Sequence, residues 1–75
     1  MAFDSVDMFD VESSNVESIG YDFEDMVLYV KFIKSPAIYW YSGIDNTLYE
    51  NFLMSDSKGK FIWQYLRGQY EYGTL

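Results

Sequence analysis

The chain has 75 residues with twelve acidic and five basic side chains, a formal net charge of −7, and neither Cys nor His. That inventory excludes imidazole and thiol catalysis, disulfide cross-links and the usual zinc ligand sets, so stability must come from apolar packing. A domain this short buries only about 60% of its extended-chain surface, and with six Phe, eight Tyr and two Trp several rings must stay partly exposed, as they do at partner or self-association surfaces.

No apolar run approaches the length of a membrane-spanning helix, and no signal-peptide pattern opens the sequence, so a cytoplasmic protein without membrane contact is expected. The charge is unevenly placed. Residues 1 to 25 carry eight acids and no Lys or Arg, whereas residues 26 to 75 carry five basic and four acidic groups, a formal +1. An acidic leader on a near-neutral body serves as a solvated tail, a cover over a basic patch, or a mimic of phosphate spacing.

Residues 1 to 12 alternate acids with Phe3, Val6, Met8, Phe9 and Val11 in neither clean period, which predicts an acidic arm, loosely docked or added as an edge strand, ahead of a domain over residues 13 to 75. Val16 to Tyr21 reads as extended, and Asp22-Phe23-Glu24-Asp25 as a polar turn. In Met26 to Ile33, Leu28, Val30 and Phe32 share one face of a strand, opposite Val27, Tyr29, Lys31 and Ile33. Lys34-Ser35-Pro36 interrupts, because Pro donates nothing to a ladder and restricts its predecessor. The strand that resumes over Ala37 to Ser42 puts Tyr39 and Tyr41 with Ala37, with Ile38 and Trp40 opposite, and ends at Gly43. Two helices follow. Asp45, Asn46 and Thr47 all suit a cap, and Thr47 with Glu50 has capping-box spacing before the stripe Leu48, Tyr49, Phe52 and Leu53. Ser57 caps the second helix, whose stripe is Phe61, Ile62, Tyr65 and Leu66, with Gly68 as terminator. Tyr70-Glu71-Tyr72 returns to the sheet or lies across it. The expectation is an α+β fold: a small antiparallel meander of three, at most four, strands packed against two C-terminal helices.

Chemistry concentrates in few places. There is no Walker loop and no dinucleotide fingerprint, and Asp22, Glu24 and Asp25 lack the ligand spacing of a calcium loop; no enzyme, cofactor or metal site is expected. At Ser57-Lys58-Gly59-Lys60, two cations and a Gly in the first turn oppose the helix dipole and helix propensity. One reading is a phosphate receptor made of backbone N–H groups, the Ser57 hydroxyl and two ammonium groups, with Gly59 admitting the ligand. The other has Lys58 and Lys60 neutralised by nearby acids and Gly59 needed only for close packing. In Tyr39-Trp40-Tyr41 the two tyrosines suit the core, while Trp40 is expected at the surface or an interface.

The landmarks Ser14-Asn15-Val16-Glu17-Ser18-Ile19-Gly20-Tyr21-Asp22, Tyr39-Trp40-Tyr41 and Ser57-Lys58-Gly59-Lys60-Phe61, in this order and spacing, resemble the KTSC domain, a short module of some lysyl-tRNA synthetase C-termini that also occurs as a free-standing protein. The resemblance spans residues 11 to 72 and implies nucleic-acid binding. Two departures stand out: Trp63 where relatives often have Asn, and Ile44-Asp45 where they often have Val-Pro. The function expected is a non-enzymatic binding module for nucleic acid or a small nucleotide. Ser57, Lys58, Gly59, Lys60, Arg67 and Lys34 would hold phosphate, and Tyr39, Trp40, Tyr41 and Trp63 would stack on bases or line an interface. The alternative is an acidic accessory protein of a phage or mobile element that inhibits or sequesters a host defence component through a protein partner or signalling nucleotide, with Asp4, Asp7, Asp10 and Glu12 as the mimic. A homo-oligomer fits either reading.

Overall fold

A computed structural model describes residues 6 to 75; Phe3 and Asp4, assigned above to the acidic arm, lie outside the described residues. Five strands form one antiparallel sheet in chain order: β1 (Phe9–Asp10), β2 (Val16–Asp22), β3 (Val27–Phe32), β4 (Ile38–Ser42) and β5 (Tyr72–Thr74). Between β4 and β5 the chain makes two helices. The first is α1 (Asn46–Met54); the second, α2 (Lys58–Phe61), continues as a π-helical turn over Ile62–Leu66. The α+β class and the meander followed by two helices are as expected. The strand count is five, because β1 and β5 add to the two ends of the central three.

The period-2 alternation decides which side chains meet the helices. Leu28 pairs with Tyr41 and Val30 with Tyr39 in the β3–β4 register, and Leu28, Val30 and Tyr41 join Ile19, Tyr21, Ile44, Tyr49, Phe52, Ile62 and Leu66 in one buried cluster. In β2 the register with β3 slips between Val16 and Ser18. A bulge there lets Val16 enter the core at zero exposure, while Glu17 stays outside and pairs with Lys31 at 3.1 Å. The β2–β3 turn closes on the Asp22 carboxylate, which accepts from the N–H groups of Glu24 and Asp25 at 3.0 and 3.2 Å, an Asx-turn arrangement.

The helix ends follow local chemistry. Asp45, rather than the Thr47–Glu50 box, caps α1: its carboxylate accepts from Leu48 N–H at 2.8 Å. Tyr21 stacks on Tyr49 with ring centroids 4.1 Å apart and donates its hydroxyl to the Ile44 carbonyl, tying β2 to the entry of α1. The π turn is closed by Arg67 N–H donating to the Ile62 carbonyl at 2.8 Å, and Gly68 ends it at φ 79°. This wide turn inserts a residue into the helical repeat. Ile62 and Leu66 face the core, but Tyr65, expected in the buried stripe, is 54% exposed; Leu53 in α1 likewise lies outside.

The outer face of the sheet is also partly covered. Met8 and Val6 lie so close over Gly20 that a Cβ there would meet them at 2.8 Å. The arm therefore docks, through β1 and these two side chains, and Tyr29 beneath this face is fully buried.

Candidate functional site: an aromatic and cationic cleft beside the π turn

Helix α2 begins as expected, with the Ser57 hydroxyl accepting from Lys60 N–H at 3.3 Å. The rest of this segment has another job. Lys58 is buried, and its ammonium donates at 3.0 Å to each of the Leu53 and Ser55 carbonyls at the end of α1. Charge and hydrogen bonding thus satisfy the orphan carbonyls of the preceding helix. At Gly59 a Cβ would meet the Asn15 side-chain nitrogen at 2.8 Å, so the glycine admits Asn15 rather than a ligand. The cost of Lys58 and Gly59 in this turn is offset inside the protein, and the geometry corrects the phosphate reading for these two residues. Ser57 and Lys60 remain on the wall of a groove of about 620 Å³ between the helices, with Leu48, Asn51, Phe61 and Tyr65.

The other candidates gather elsewhere. Lys34, Tyr39, Tyr41, Trp63 and Arg67 line a second cleft of about 490 Å³, completed by Phe32, Ser35, Ile62 and Tyr72. The two hollows share no residue. The floor of this cleft is the helix-facing side of β3, β4 and β5, which carries Phe32, Tyr39, Tyr41 and Tyr72 because side chains two apart share a face. Phe32 and Tyr39 meet edge to face at 5.5 Å, and Tyr41 and Tyr72 stack at 5.6 Å. One wall is the π turn. There the Arg67 guanidinium lies 4.3 Å from the Trp63 ring centre and 5.8 Å from that of Tyr72, a cation held over two rings. The other end is the β3–β4 loop, where Pro36 breaks the ladder and Lys34 stands exposed.

Burial pushes the Tyr41 phenol up to about 12, although the Arg67 guanidinium pulls it down. At neutral pH the Tyr41 phenol is un-ionised. The sign of the pH effect follows. Because the folded state holds the Tyr41 proton more tightly than the unfolded chain, its contribution is complete below pH 10 and lost as pH rises toward 12. Phenolate absorbance during alkaline titration is expected to show Tyr41 ionising late, in step with loss of stability between those values; ionisation at the ordinary tyrosine pH with the fold intact contradicts this.

Trp40 lies on the opposite face, half-buried, its ring 2.9 Å from where a Cβ on Gly73 would stand. It shares no site with Tyr39 and Tyr41. Asp7, Asp10 and Glu12 are exposed along the arm. Sequence reasoning missed Phe32, Ser35, Ile62 and Tyr72; the alternation in Tyr70-Glu71-Tyr72 was the available signal for the last of these. Among the described residues no acidic cluster is placed to hold a metal ion, and no helix is long and apolar enough to cross a membrane.

No curated protein matches the chain. Among solved structures, the crystal structure of a KTSC domain protein from Yersinia pestis superimposes with a TM-score of 0.86 at 28% identity, covering 95% of this chain and 99% of that one. The model of the KTSC domain matches residues 12–70, a span that runs from just after β1 to the approach to β5; the chain belongs to the KTSC domain family.

Proposed function

We propose that the protein is a non-enzymatic, cytoplasmic binding module whose ligand is a nucleotide or a short single strand seated in the cleft between β4, β5 and the π turn. The observation that carries this reading is the convergence of two cations and several aromatic rings, from β3 and its loop, β4, the π turn and β5, on one hollow of about 490 Å³. The flat face of Trp63, 66% exposed, offers a stacking platform worth about 1–3 kcal/mol per base. Arg67, already oriented by Trp63 and Tyr72, and Lys34 at the far end supply the phosphate contacts. Two cations serve a mononucleotide or a few linked nucleotides rather than a long duplex.

Fluorescence titration of the protein with a short single-stranded oligonucleotide across a salt series tests this. With two phosphates neutralised, log K should fall against log salt with a slope of about −1.4. Arg67→Ala should weaken binding at least ~10-fold, since it removes one phosphate contact and loosens the platform. The absence of binding to RNA, DNA and mononucleotides at low salt ends the reading.

A further inference from the structure

We propose that the β5 edge is a self-association surface through which two copies of the chain join into one continuous ten-stranded sheet. This inference stands independently of the ligand cleft. Ser42 N–H donates to the Glu71 carbonyl at 2.8 Å and Leu75 N–H to the Ile38 carbonyl at 2.9 Å. In an antiparallel ladder these groups alternate, so the N–H and C=O of Tyr72 and Thr74 point outward, and no described residue pairs with them. An open strand of this kind is a template for another strand unless charge, Pro or a bulge guards it.

The two ends of the sheet differ in this protection. On the β1 side, Val11 N–H donates inward to the Glu17 carbonyl, which leaves Asp10 and Glu12 facing out, with Asp7 nearby. Two such edges would bring acids against acids. The β5 edge has Tyr72, Gly73 and Thr74, with Leu75 beyond them 56% exposed, and its one acid, Glu71, has its backbone turned inward. The charge distribution agrees. The two thirds of the chain from residue 26 onward are formally +1, so joining β5 to β5 keeps the acidic leaders of both copies at the far ends of the sheet.

Antiparallel pairing about Gly73 puts Tyr72 opposite Thr74 of the second copy and exchanges two hydrogen bonds on each side of the two-fold axis. Because the axis is perpendicular to the sheet, both helical layers lie on one side.

Sedimentation of the full chain from ~1 μM to ~1 mM, the range of weak to moderate association, decides the matter. The expected result is a reversible dimer of twice 8.9 kDa. Thr74→Pro removes an outward N–H without touching the inner ladder, and Thr74→Lys places a guarding charge there; each should raise the dimer dissociation constant at least ~10-fold with the circular dichroism spectrum unchanged. Asp10→Pro, at the opposite edge, should leave it unaltered. If Thr74→Pro fails to fold, Thr74→Lys alone decides. A wild-type chain that stays monomeric throughout, or a dimer that ignores the Thr74 variants or breaks only with Asp10→Pro, overturns the proposal.

Discussion

Phe52→Ala is expected to lower the free energy of unfolding by about 3–5 kcal/mol, the largest effect of any single change considered. Phe52 is fully buried in the last turn of α1. Its ring meets Phe61 edge to face at 5.5 Å, and the Lys58 ammonium lies 5.9 Å from its centre. One side chain therefore joins the two helices to each other and to the sheet below. A 75-residue domain typically holds about 4–11 kcal/mol in total, so the cavity left by Ala removes a large share of it. Equilibrium urea unfolding measures the change. A loss under ~1 kcal/mol, the size of an ordinary surface effect, means that Phe52 does not anchor the helices.

The second large effect belongs to Lys58. Replacing it with Ala should cost about 2–3 kcal/mol, because two partly buried carbonyls lose a charged donor and the aliphatic stem no longer fills its space. Lys58→Met separates the terms, since it keeps most of the stem and loses only the ammonium. Ligand affinity should stay within about twofold in both variants, the limit of additivity for sites that do not touch. An unchanged stability together with a strong loss of oligonucleotide binding would return Lys58 to the phosphate site and refute the capping role.

These two residues illustrate what a linear reading can and cannot reach. Phe52 is legible because a 3.6-residue stripe announces a buried helix face. The partners of Lys58 are backbone carbonyls of the preceding helix, and no side-chain pattern encodes them. Ser57-Lys58-Gly59-Lys60 works against its own helix, and the relief comes from α1 and Asn15. The three central strands follow from alternation and from Pro36 and Gly43. β1 and β5 do not, since two and three residues are too few for a period and each is fixed by the open ladder beside it. The π turn has no signature of its own, and with it went the exposed position of Tyr65. Five of the residues lining the cleft stand out in the sequence as candidates, yet their grouping depends on strand register, and Trp40 falls outside it for the same reason: odd and even positions of β4 face opposite ways.

Because strand order follows chain order, a ribosome releasing this chain delivers β1 to β4 ready to zip with their neighbours as they emerge. The last pairing is different, for β5 reaches β4 only after both helices have been made. Until then β4 has no outer neighbour, Tyr72 is missing from the cleft floor, and Arg67 has one ring to rest on instead of two. The recess is thus complete only once β5 has paired with β4, the one strand pairing that has to wait for the helices in between.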